Sequence, residues 1–151
     1  MMRYQNEIER FLTTHAAAIV RIMEQAYDTA GGHYARLSAD QRRRQTATDA
    51  QELTADLLSR AVNQDALQAT LQSVTDLAVV NDITRLSSTL EDLVIAFVQQ
   101  QLPDEPEVAQ ELITRMTVVS ARFRMNLSAA YMTRLTRQPI GPAIPREAPP
   151  Q

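Results

Sequence analysis

The chain contains no cysteine, no lysine and no tryptophan among its 151 residues. Without cysteine it can form neither disulfides nor thiolate metal sites, and it has no cysteine nucleophile. Without lysine it can form no Schiff base and has no phosphate-loop lysine, because all fifteen basic residues are arginine. The absence of cysteine fits a reducing compartment, so we expect a cytoplasmic protein.

Aromatic residues make up only 5% of the chain, and glycine occurs three times. The core must therefore be built from Leu, Ile, Val, Met and Ala, which are compatible with helices. The formal net charge of −3 is mild and does not indicate a nucleic acid or a membrane surface as the partner. The sequence shows no signal peptide and no apolar run of about 18 residues, so no membrane span is expected.

Apolar residues recur at three- and four-residue steps through most of the chain, and no segment alternates with the period of a strand. This pattern predicts an all-α domain over residues 1–137 with about five helices, arranged as a bundle or as a haemless globin-like fold. Residues 138–151 contain five prolines and are predicted to be a linker or a disordered tail.

The first helix is predicted from Arg3 to Thr29, ended by the two glycines that follow it. The second helix begins at Ser38, where the sequence SADQ is typical of a capping box. Its first half is polar almost all round, so we expect that half to project from the body or to pack only lightly.

The third helix is predicted to follow the break at Asn63-Gln64-Asp65, with an apolar face that runs from Leu67 to Ala78, and a second break is predicted at Asn81-Asp82 before the fourth helix. The last helix is predicted from about Glu107 to Arg137 and is the longest. Its apolar stripe is wide, which suggests burial both inside the domain and against another chain. We predict a homodimer contact there, with burial in the chain's own core as the alternative; the stripe consists of Met116, Val119, Phe123, Leu127, Ala130 and Tyr131.

The segment DTAGGHYARL, residues 28–37, offers the most distinctive candidate site. His33, with Tyr34, is a candidate for binding a cofactor or small molecule, and so is His15 on the apolar face of the first helix. The interpretation that we favour for the segment is a glycine joint between two helices, with His33 as a surface or capping side chain, and for His15 it is a satisfied core residue.

No metal site, cofactor site or catalytic group is predicted. A metal needs three or four converging ligands, and a globin-type haem needs a histidine well past mid-chain, whereas none follows His33. No serine lies in a nucleophile elbow, and no glycine-rich phosphate loop is present. The acidic pairs Glu91-Asp92 and Asp104-Glu105 point about 100° apart when helical, so they cannot act together. The basic run at 42–44 has acidic neighbours, which favours a solvated helix face.

The order of these signals resembles the amino-terminal sensory domain of RsbR-type stressosome co-antagonists, in particular the RsbRD-like variants. The resemblance rests on HYARLSADQ, on LLSRAVNQDALQATLQSVTDLAVVNDITRLSSTLEDLVIAFVQQQL and on the long helix ending SAAYMTRL, and it covers residues 3–137. Asn81 stands where the family pattern has a glycine, and a proline-rich stretch follows Arg137 in place of a STAS domain.

The resemblance implies an all-α, haemless domain that forms dimers and continues through its last helix toward a STAS output domain or a kinase. We therefore expect a non-enzymatic, homodimeric sensory domain of a bacterial signalling protein. The rival hypothesis is a small-molecule or cofactor-binding helical module, with His15, His33 and Tyr34 near an internal pocket.

Overall fold

A computed structural model describes residues 2–137, and every regular element in that range is helical. The all-α prediction is confirmed, with six α-helices rather than about five and a short 3-10 helix after the second. They are α1 (Gln5–Thr14), α2 (Ala16–Ala30), the 3-10 helix (Gly32–Arg36), α3 (Ala39–Ser59), α4 (Gln64–Gln72), α5 (Leu77–Gln101) and α6 (Pro106–Arg137). The predicted tail, 138–151, lies outside the described residues.

The sixth helix arises because the predicted first helix is divided at His15. The backbone of His15 leaves helical geometry, with φ −105° and ψ 20°. Its N–H still donates to the carbonyl of Phe11 at 3.0 Å, and its own carbonyl accepts from Ile19 at 2.9 Å. The hydrogen-bond ladder therefore nearly continues through the division, which explains why one apolar pattern spans α1 and α2.

The capping box at the start of α3 is confirmed. Ser38 Oγ accepts the N–H of Gln41 at 3.1 Å, and Gln41 Oε1 accepts the N–H of Ser38 at 2.9 Å. The expectation that this end of α3 packs only lightly agrees with the structure for most of residues 38–48, eight of which are exposed. Two side chains anchor it: Arg42 donates to the carbonyl of Glu24 at 2.8 Å, and Thr46 is fully buried with its hydroxyl bonded to the Arg42 carbonyl at 2.9 Å. One edge of the polar half of α3 thus packs on α2.

The predicted break at Asn81-Asp82 is wrong, because both residues lie inside α5. The chain instead turns at 73–76, and Asp76 caps α5 by accepting the N–H of Val79 at 3.1 Å. Ala78, the last residue of the apolar face predicted for the third helix, is exposed in the first turn of α5. The third predicted helix corresponds to α4, which has only nine residues and is therefore shorter than expected.

Helix α5 is the centre of the molecule, packed against α2 on one side and α6 on the other. Its buried positions follow three- and four-residue steps, so a single long stripe serves both neighbours. The buried residues of α5 are Val79, Val80, Ile83, Leu86, Ser87, Leu90, Val94 and Val98.

Helix α6 has 32 residues, which is about 48 Å of helix. Arginines attach it to its neighbours along this length. Arg124 donates to the Ser87 hydroxyl at 3.2 Å and to Glu91 at 3.0 Å. Arg134 donates to the carbonyls of Leu71 at 2.9 Å and Val74 at 2.7 Å. Its guanidinium thereby satisfies carbonyls at the carboxyl end of α4, where a helix lacks internal donors.

Among the described helices, none has the length and apolar character that crossing a membrane requires.

Candidate functional site

A cavity of about 320 Å³ lies between α3, α4, α5 and α6, with the 3-10 helix beside it. We refer to it as the α3–α6 cavity. Its apolar lining comes from α2, α3, α5 and α6 and comprises Met23, Leu53, Ile83, Leu86, Leu90, Met116, Val119 and Phe123. Thr48 of α3 and Ala69 and Ser73 of the α4 side line it at exposed positions, which places the mouth between these two helices. This volume lies in the range of small-molecule pockets, which begins near 300 Å³.

One wall of the cavity is acidic. Asp49, Glu52 and Asp56 of α3 all line it, together with Leu53. The spacing of three, four and seven residues puts these side chains on one helix face, so three carboxylates and a leucine point the same way. This face explains how a helix that is polar almost all round takes part in the core.

Asp49 accepts a short hydrogen bond from the Tyr27 hydroxyl. Burial raises the pKa of Asp49 to about 6, although the bond from Tyr27 acts in the opposite direction. Burial and the neighbouring Asp49 carboxylate in turn raise the pKa of Tyr27, so the phenol stays protonated. Asp49 therefore supplies one carboxylate beside the cavity. The hydrogen bond from Tyr27 holds this carboxylate in place and does not neutralise its charge.

Glu52 and Asp56 continue the acidic wall toward the end of α3. Burial raises the pKa of Asp56 to about 6, against a hydrogen bond at 3.2 Å from the backbone N–H of Asn63. Burial also raises the pKa of Glu52. Within residues 2–137 the Glu52 carboxylate has neither a hydrogen bond nor an ion pair. Glu52 is therefore the free carboxylate of this wall.

The DTAGGHYARL segment forms both a joint and part of the cavity. Gly31 and Gly32 have φ of +62° and +54°, and a Cβ on Gly32 would lie 2.5 Å from the Asp82 carboxylate. Asp82 accepts the N–H of His33 at 2.9 Å, which fixes the 3-10 helix on α5. The glycines thus allow the close approach that brings His33 and Tyr34 to the cavity lining.

Two of the three candidate residues from the sequence line the cavity, and the third does not. Tyr34 is buried with its ring 4.5 Å from that of Tyr27, and burial raises its pKa. His15 lies elsewhere, with its ring 4.5 Å from that of Phe11 and 5.2 Å from that of Phe97. His15 is half-buried and does not line the cavity, so the hypothesis that it lies near the pocket is wrong.

The acidic wall was not predicted, although the sequence carries a signal for it. Asp49, Glu52 and Asp56 share a face with Leu53 and Leu57, both buried. Carboxylates interleaved with buried leucines at helical spacing indicate a face that is partly desolvated rather than solvated.

The six residues predicted for the dimer contact face the chain's own interior. Met116, Val119, Leu127 and Tyr131 are buried, and Phe123 and Ala130 pack half-buried against the core. Burial within one chain therefore accounts for the stripe, as the alternative reading held. The large exposed apolar side chains of α6 are Met125, Met132 and Leu135.

The remaining charged motifs are structural. Arg42 pairs with Asp28, and Arg43 pairs with Asp40 on the same helix. Glu91 binds Arg124, whereas Asp92 is exposed. In the part of the chain that the structure describes, no three His, Cys, Asp or Glu side chains are grouped so as to hold a metal ion.

Comparison with protein-family models, curated proteins and solved structures finds no match to this chain.

Proposed function

We propose that this chain is a sensory domain that binds a small, largely apolar molecule in the α3–α6 cavity. The observation that carries the proposal is the cavity itself, which combines an apolar lining with a few polar side chains and has its carboxylates on one wall. That combination is typical of ligand sites, where apolar contact gives affinity and a few polar groups fix orientation.

The proposed route from ligand to output is α6. Met116, Val119 and Phe123 of this helix line the cavity, so a bound molecule contacts the helix directly. A ligand shifts a conformational equilibrium only by its difference in affinity between two states. Two packings of α6 that shape the cavity differently would satisfy this requirement.

The resemblance to RsbR-type sensory domains supports the same function. Under this proposal the domain works in the cytoplasm, catalyses no reaction, and signals to a STAS-type output domain or a kinase. The rival is a ligand-binding module without an output, which would use the same cavity. A ligand-dependent change in the affinity for a signalling partner separates the two, because a simple binding module gives none.

The proposal is tested with the neutral dye N-phenyl-1-naphthylamine, whose fluorescence rises in apolar sites. We expect saturable binding of one dye per chain. Ala66 lines the cavity from α4, so Ala66→Phe fills the space and should weaken binding by about tenfold or more. Ala55→Phe, at an exposed position of α3 outside the cavity, is the matched control and should bind as the natural chain does.

Circular dichroism melts establish that both variants are folded. Absence of saturable dye binding to the natural chain would contradict the proposal. So would a folded Ala66→Phe variant that binds the dye unchanged.

We further propose that the chain forms a homodimer through the exposed face of α6. Met125 and Met132 are 69% and 59% exposed and lie seven residues apart, which is one heptad of a coiled-coil seam. Replacing both by arginine should turn a dimer into a monomer in native mass spectrometry. Ala96→Arg, on an exposed position of α5, should leave the dimer intact. A natural chain that is monomeric at low micromolar concentration would contradict this proposal.

A further inference from the structure

The described side chains that line the α3–α6 cavity include acidic groups and no arginine. Asp49, Glu52 and Asp56 contribute three carboxylates. Among the described residues the chain has fourteen arginines, and none of them lines the cavity. His33 is the remaining side chain of the lining that could carry a positive charge.

We propose that the ligand of this cavity is an amphipathic cation, with an apolar body on the floor formed by α5 and α6 and an ammonium group against α3. This inference rests on the proposed ligand-binding function. It adds the chemical class of the molecule and the residue that selects it, Glu52.

The positions of the carboxylates separate the two ends of such a molecule. The apolar lining on α5 and α6 includes Leu86, Leu90 and Val119, and all three are buried. The carboxylates lie together on one face of α3. An elongated ligand with one apolar and one charged end therefore matches the cavity in one orientation.

The existing contacts of the carboxylates leave room for a cationic partner. Asp49 accepts from Tyr27 and Asp56 accepts from the backbone of Asn63, so each has one neutral donor. Glu52 has no hydrogen-bond or ion-pair partner within residues 2–137, and it lies between the other two in sequence. A partly desolvated carboxylate without a partner is costly, and an ammonium group would offset that cost.

The same charges disfavour other ligand classes. An anionic ligand would bring a fourth negative charge toward three carboxylates, which costs free energy by like-charge repulsion. A neutral alcohol of the same length would gain the apolar contact and at most one hydrogen bond to a carboxylate, and it would leave the negative charge of the wall unbalanced. The expected order of affinity is therefore amine, then alcohol, then carboxylate.

The test compares three probes that share an eight-carbon chain, namely octylamine, octanol and octanoate, below their micelle-forming concentrations at pH 7.5. Isothermal titration calorimetry on the full chain should give octylamine an affinity about tenfold or more above that of octanol, with octanoate weakest. Glu52→Gln should bring octylamine close to octanol. Glu9→Gln, an exposed position on α1, should keep the preference.

The outcomes separate the two proposals. Octylamine and octanol binding equally to the natural chain would overturn the cation inference and leave ligand binding intact. Octylamine preference that persists in Glu52→Gln, or in the filled Ala66→Phe variant, would place the bound amine outside the cavity and overturn it as well. Failure of all three probes and of the neutral dye would overturn the proposed function together with the inference.

Discussion

Replacing Arg115 by methionine is expected to lower the free energy of unfolding by about 3 to 5 kcal/mol, the usual cost of removing one partner from a buried ion pair. Arg115 is the largest fully buried side chain of the described residues, with 0% exposure. Its guanidinium donates to Glu111 Oε2 at 2.8 Å and to Gln5 Oε1 at 2.9 Å. It also donates to the carbonyls of Leu57 and Arg3, each at 3.1 Å.

The size of this effect comes from the groups that the substitution leaves behind. Methionine keeps most of the length and volume of arginine, so packing changes little. The buried Leu57 carbonyl, however, loses a donor, and Glu111, which is 16% exposed, keeps only the longer contact with Arg60 at 3.9 Å. One guanidinium joins α1, the end of α3 and α6, so all three elements lose a common contact.

Urea denaturation at pH 7.5 with linear extrapolation measures the loss. Arg122→Met is the matched control, because Arg122 is exposed on the same helix and should change stability by no more than about 0.5 kcal/mol. Arg115→Lys should also destabilise the chain, since a single ammonium cannot reproduce the fork of donors. A loss below about 1 kcal/mol in Arg115→Met would contradict the central role given to this side chain.

The second large effect has the opposite sign: Asp49→Asn should stabilise the chain at pH 7.5. Burial raises the pKa of Asp49 from 3.8 to about 6, so the folded state binds a proton more tightly than the unfolded chain does. The stability linked to that proton is complete below about pH 4 and is lost as pH rises through about 6. About two pKa units correspond to about 3 kcal/mol, which partial exposure of the side chain reduces to about 1 to 3 kcal/mol.

Asparagine removes the charge and keeps an oxygen that accepts from Tyr27. Thermal and urea unfolding between pH 4.5 and 8 measures the effect. The natural chain should be more stable near pH 5 than near pH 7.5, and the variant should show a smaller decline. Asp92→Asn, an exposed position on α5, should follow the natural chain. A variant less stable than the natural chain at pH 7.5 would show that the ionised carboxylate stabilises the fold.

The sequence predicted a helix boundary correctly where neighbouring residues determine that boundary. The capping box at Ser38 depends on residues three apart, and the structure contains it. The predicted break at Asn81-Asp82 relied on two weak helix formers. Asp82 instead lies inside α5, where its carboxylate makes a tertiary contact by accepting the His33 N–H across the glycine joint. That contact joins residues 49 positions apart, so the local sequence pattern could not predict it.

The candidate site was only partly predictable for the same reason. His33 and Tyr34 stood out by rarity, and both line the cavity. The carboxylates of α3 looked like a solvated helix face, because the sequence does not show that they line a cavity bounded by α4, α5 and α6. Arg115 was overlooked because an arginine between Leu112 and Met116 reads as an interruption of the apolar stripe rather than a part of it.

The two hydrogen bonds from Arg134 to the end of α4 have a consequence for any signal that the cavity receives. They join the outer wall of the cavity to the last turns of α6 at 2.9 and 2.7 Å. Under the proposed function, thermodynamic linkage makes the coupling reciprocal: a partner at the end of α6 changes the affinity of the cavity by the same factor as the ligand changes the affinity for that partner. The proposed function therefore predicts a different ligand affinity with and without a bound signalling partner.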